Sequence, residues 1–220
     1  MPKTYLALAL LCLAAAPASA MTVVDPVGDF LPSYDGPKNP DLDVTSFSVN
    51  FDSTANTFLL NAVFAGAITP AAPGFYVVGV NTGTPTASFA SLGLPGVTFN
   101  KVILFQKDGS ATIGGATLAS LGGSMTISGD HFDALVPLSA LLPATGADPA
   151  HFGFNIWPRG GTPAQLKQPI SDFAPGNAVI ASVPEPSTWA AMIVGLGLVG
   201  TVLRRRRVGY GSGYHAARLA

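Results

Sequence analysis

Five carboxylates, Asp25, Asp29, Asp35, Asp41 and Asp43, crowd a short stretch rich in proline and glycine. A hard cation such as Ca²⁺ needs several carboxylate and carbonyl oxygens at once, and secreted proteins meet it at millimolar concentration. Asp25, Asp29, Asp41 and Asp43 are therefore candidate ligands for a structural Ca²⁺, with Asp35 beside them. Their spacing is not that of an EF-hand loop, and aspartates in such segments also cap turns and solvate loops without any ion. A second group is built on histidine: His131 lies between Asp130 and Asp133, and His151 opens an apolar run, so a hydrolytic Ser-His-Asp set can be drawn with any of many serines. No motif supports it. The chain has no Gly-x-Ser-x-Gly elbow and no His-Glu-x-x-His, and its single glutamate, Glu185, lies between two prolines, so a paired-carboxylate glycosidase site would need two aspartates. The expectation is a protein that is not an enzyme. Trp157 and Tyr76, with Phe75, are the candidates for stacking on a sugar ring, although with 13 Phe and 2 Trp in the chain they are first of all candidates for a core.

The elements that must position these residues follow from composition. Of 220 residues, 48% are hydrophobic and only 10% charged, which argues against a solvated disordered tail, and 25 Gly with 19 Pro argue against a mostly helical chain. Between residues 21 and 183, eleven aspartates face five lysines and arginines, a net charge of −6. That balance excludes a phosphate-backbone binder, so no nucleic-acid partner is expected.

Both ends carry targeting signals. Lys3, the apolar run Tyr5 to Ala16 and the small residues Ala18-Ser19-Ala20 form a secretory signal peptide over residues 1–20, too short to cross a bilayer as a helix, which takes about 20 apolar residues. Cleavage after Ala20 removes Cys12, the only cysteine, and with it every disulfide, thiolate metal site and thiol nucleophile. Near the other end, the 15 residues from Trp189 to Leu203 are uncharged and are followed by Arg204, Arg205, Arg206 and Arg207. At about 1.5 Å per residue this helix reaches roughly 22 Å, short of a ~30 Å hydrocarbon core unless its flanks extend it. The arginines belong in the cytoplasm and the preceding residues outside, the same topology that the signal peptide dictates.

Val183-Pro184-Glu185-Pro186-Ser187-Thr188-Trp189, the Gly- and Met-containing apolar span and the arginine cluster together resemble the PEP-CTERM sorting signal of Gram-negative bacteria. The resemblance covers residues 183–207. It implies that an exosortase-type membrane protease recognises Pro184, Glu185 and Pro186 and cuts near them. The precursor would be anchored in the inner membrane with its domain in the periplasm, and the mature protein would go to the cell surface or the medium, among exopolysaccharide. The tail 208–220 departs from the pattern, which usually stops soon after the basic residues. Physically, Pro184 and Pro186 interrupt the helix and hold the chain extended where a protease could accept it; a stiff linker is the plainer use of the same residues.

Residues 21–182 then form one domain. Short runs with alternating apolar, β-branched and aromatic residues recur at 44–51, 57–64, 75–80, 97–105, 111–119, 131–138 and 151–157, separated by turn signals at 52–56, 107–110, 122–123 and 128–130. The predicted fold is all-β, a single antiparallel β-sandwich of jelly-roll-like form, with a short turn of helix at 137–142. Asp25-Pro26-Val27-Gly28-Asp29, Tyr34 and Pro40-Asp41-Leu42-Asp43-Val44, with Val136 to Leu141, resemble DOMON-like or family-9 carbohydrate-binding sandwiches. Such modules in some cases hold calcium and in others bind sugars, so a carbohydrate-binding module is the first alternative function and a secreted hydrolase the second. Asp172 to Asn177 reads as a closing strand and linker rather than a site.

Overall fold

The computed structural model describes residues 21–141, 148–161 and 169–181. The signal peptide, Pro184, Glu185 and Pro186, the apolar span, Arg204 to Arg207 and the tail lie outside the described residues. Among the described residues no helix is long and apolar enough to cross a membrane.

Alternation builds the first sheet. In Val44–Asp52 (β2) the side chains of Phe47, Val49 and Phe51 point inward, and in Thr57–Phe64 (β3) those of Phe58, Leu60, Ala62 and Phe64 do the same. The turn between them is made by Asp52, whose Oδ1 accepts the N–H groups of Thr54 and Ala55 at 2.8 and 2.9 Å, and by Asn56 in the left-handed region. Met21–Val24 (β1) pairs with β2, His131–Pro137 (β11) with β3, and Ser124–Ser128 (β10) with β11, giving an antiparallel sheet in the order β1-β2-β3-β11-β10.

The second sheet contains Phe75–Asn81 (β4), Lys101–Gln106 (β7), Ala111–Ile113 (β8), Ala116–Thr117 (β9), Gly153–Arg159 (β12) and Ile180–Ala181 (β13), in the order β13-β12-β4-β7-β8-β9. The chain passes to this sheet after β3, returns after β9 and passes again after β11, so β3–β11 and β4–β12 become neighbours far apart in sequence. Between the sheets the rings interlock: Phe64 lies 4.4 Å from Tyr76, Phe105 4.8 Å from Phe132, and Phe58 5.1 Å from Phe154, centroid to centroid. The all-β antiparallel sandwich is as predicted, and the short helix Leu138–Leu141 (α1) falls where a helical turn was expected.

β4 and β12 are buried on both faces. Their outer face is covered by a ribbon of Ala87–Phe89 (β5) and Leu94–Phe99 (β6) and by the closing segment 169–174, which together enclose Val77, Val97, Trp157, Ile170 and Phe173. This ribbon divides the run expected as one strand at 97–105, because β6 pairs within the ribbon up to Phe99 and β7 joins the sheet only after Asn100. Gly114 and Gly115, both with positive φ, likewise divide the run at 111–119.

Gly79 on β4 leaves room for the indole of Trp157. A Cβ at this position would lie 2.5 Å from two atoms of that ring and 3.2 Å from the Cβ of Phe99. Gly79→Ala is therefore expected to destabilise the domain by about 1–3 kcal/mol through overpacking. Chemical denaturation should show a lower midpoint at unchanged slope.

Candidate functional site

The aspartates are positioned by three segments that meet at one edge of the sandwich. β1 ends at Val24, and the N–H of the next residue, Asp25, donates to the Thr45 carbonyl at 2.9 Å. The chain then turns through Gly28, whose positive φ suits glycine and whose N–H donates to Oδ2 of Asp43 at 2.7 Å. Asp43 follows a single 3₁₀ turn at Pro40–Leu42 and is only 2% exposed. From the closing segment comes Asp172, 3% exposed, which accepts the N–H of Val44 at 2.9 Å and that of Phe173 at 2.6 Å. Ser171 fastens the same segment through hydrogen bonds from its Oγ to the carbonyls of Leu42 and Pro158.

One carboxylate oxygen from each of Asp25, Asp29 and Asp172 lies within 4.8 Å of the other two. Burial pushes the Asp25 carboxyl up to about 7, with the charges of Asp29 and Asp43 adding to it. Burial raises Asp172 to about 8; its hydrogen bond from Val44 opposes the rise, and the charges of Asp25 and Asp29 add to it. Asp43 is raised by burial against the opposing Gly28 hydrogen bond, with Asp29 adding. Oδ2 of Asp25 and Oδ1 of Asp43 are sealed from solvent and accept no hydrogen bond.

Two of the four expected ligands, Asp25 and Asp29, thus meet here; Asp43 stands beside them through its bond from Gly28, and Asp41 does not belong to the group. Its Oδ2 is held by the ammonium of Lys107 at 2.7 Å, with both residues 3% exposed, and accepts the N–H of Thr69 at 3.2 Å. A carboxylate neutralised by a buried lysine is committed elsewhere. Asp35 is exposed and outside the group. Asp172, expected in a closing strand and linker rather than a site, joins them. Its only sequence signal was an acidic residue between Ser171 and the apolar pair Phe173-Ala174.

The aromatic expectation is corrected by burial. Tyr76 is completely enclosed between the sheets and Trp157 is 3% exposed beneath Phe89 and Phe99, so neither ring offers a face to a sugar. Phe75 is partly covered by the Arg159 guanidinium, 5.8 Å from its centroid. The outer face of the first sheet holds instead a shallow groove of about 430 Å³, lined by Ser48, Asn50, Leu59, Asn61, Thr126 and Asp133. Nothing in the sequence singled it out, because its residues are the solvent-side half of an ordinary alternation.

His131 and His151 stand at the surface. His131 Nδ1 is 3.2 Å from Asp130 and its Nε2 is 4.0 Å from Asp133, while His151 Nδ1 is 3.0 Å from Asp148. Asp133 also accepts a hydrogen bond from the Asn61 amide at 2.9 Å. These are local pairs of turns and strand ends.

No curated protein matches the chain. Residues 182–207 match the family model of the PEP-CTERM protein-sorting motif, which begins directly after the last residue of β13. The chain therefore carries a PEP-CTERM protein-sorting motif, the mark of an exported protein processed by an exosortase-type membrane enzyme on its way to the cell surface.

Proposed function

We propose that this is a non-enzymatic surface or extracellular-matrix protein in which the β-sandwich is the cargo and residues 183–207 are a removable address. The observation that carries the reading is the match at residues 182–207 immediately after the closing strand, so that a cut near Pro184 to Pro186 would release every described element intact. The secretory signal at residues 1–20 and the arginines at 204–207 supply the same orientation from opposite ends. The uncharged span is barely long enough to anchor the chain permanently, which suits a temporary hold. The acidic domain favours neutral or basic surroundings over phosphate backbones, and association with exopolysaccharide follows from the resemblance of the sorting signal.

Deleting the host's exosortase tests the reading. Full-length precursor should accumulate in the membrane fraction and the processed form should vanish; unchanged processing would reject the assignment of the partner. A carbohydrate-binding role, if pursued, belongs to the groove around Asn61 and Asp133 rather than to Tyr76 and Trp157, since only the former present hydrogen-bonding groups to solvent.

A further inference from the structure

We propose that Asp25, Asp29, Asp43 and Asp172 hold one divalent cation of the calcium class, which clamps the N-terminal turn to the closing segment of the sandwich. Three oxygens within 4.8 Å of one another fit on a single coordination sphere, since calcium–oxygen distances of about 2.3–2.6 Å put opposite ligands roughly 4.6–5.2 Å apart. The independent observation is Asp43. It is 2% exposed, its Oδ1 has no hydrogen-bond partner, and its other oxygen grips the N–H of Gly28, next to Asp29. Asp25 adds a second sealed oxygen without a partner. An unpaired buried carboxylate oxygen is costly, and two of them beside a third and fourth acid call for a positive charge.

That charge is not provided by a lysine in the way it is for Asp41, where Lys107 lies at 2.7 Å. Four carboxylates with no histidine or thiol among them select a hard oxygen-seeking cation over zinc or copper. The clamp would join Asp172 to Val44 and to the turn at Gly28, across 128 residues of sequence. Extracellular calcium modules work at dissociation constants of about 0.1–1 mM, so such a site fills after export and not before.

The test uses the full chain in detergent, stripped with chelator and titrated with CaCl₂ alone, followed by calorimetry and thermal unfolding. One saturable site is expected, with a melting midpoint higher by about 3–6 °C at tenfold excess over the dissociation constant. Magnesium at the same concentration should do less, because it demands a tighter octahedron. Asp29→Asn, at an exposed position that leaves the core untouched, should weaken binding about tenfold or more by removing a ligand charge, and Asp35→Asn should leave it unchanged. Equal midpoints in chelator and calcium, or an undiminished response in D29N, would overturn the site.

Discussion

Lys107→Met is expected to unfold the domain at a markedly lower temperature, with a loss of about 3–5 kcal/mol and a midpoint lower by roughly 6–20 °C. The ammonium of Lys107 lies 2.7 Å from Oδ2 of Asp41 and also donates to the Pro73 carbonyl at 3.3 Å, and both charged residues are only 3% exposed. Three loops meet there: the 3₁₀ turn at Pro40–Leu42, the connection from β3 to β4, and the turn from β7 to β8. Methionine matches the length of the lysine stem but leaves Asp41 as a buried charge with only the Thr69 N–H for company. The penalty is thus chiefly that of stranding Asp41, and not the worth of the pair itself. The double variant Lys107→Met/Asp41→Asn keeps an acceptor for Thr69 and removes the charge, so it should recover most of the loss. Thermal unfolding of the four proteins of this cycle decides the matter. A single variant that melts within about 1 °C of the parent would mean that the pair is solvated in solution.

The second large effect concerns the sorting signal. Replacing Pro184, Glu185 and Pro186 with alanine should leave export and the melting midpoint of the sandwich unchanged, since all the described strands precede residue 182. Processing should fall by about tenfold for every ~1.4 kcal/mol of recognition lost. The reason lies in the backbone: proline fixes φ, lacks an N–H and biases its predecessor toward extended geometry, so two prolines two residues apart keep the segment available as an extended substrate. Alanine imposes neither restraint and favours helical geometry, and the charge of Glu185 is lost as well. Immunoblotting of membrane and medium fractions should then find uncut precursor in the membrane. Normal processing of the triple variant would place the recognition elsewhere.

How much of this was legible in the sequence depended on the range of the interactions involved. β2, β3 and β11 each bury alternate apolar side chains, and their period of two is printed in Phe47-Val49-Phe51, Phe58-Leu60-Ala62 and Phe132-Ala134-Val136. β4 and β12 were found as apolar runs, but only the ribbon of β5 and β6 explains why both their faces are covered, and that ribbon has no periodic signal of its own. β1 and β13, at four and two residues, are too short to announce themselves. The acidic group was half legible. Asp25, Asp29 and Asp43 are close in sequence, whereas Asp172 reaches Val44 from 128 positions away, a separation that no local pattern records. Asp41 was misassigned for the complementary reason: a lysine in a Lys-Asp-Gly-Ser turn is almost always solvated, and burial of Lys107 is a property of the loops around it. Trp157 shows the same limit, since an aromatic on a strand can face a core or a ligand, and the choice is made by what packs over it.

The most direct measurement on the sorting assignment is the intact mass of the protein recovered from its own cells, taken separately from membrane, periplasm and medium. The expected exported species begins after Ala20 and ends near Pro184 to Pro186, with the arginine cluster found only in the membrane-bound precursor. A chain that keeps its residues through Ala220 in every fraction would contradict the assignment and make the apolar span a permanent part of the working protein.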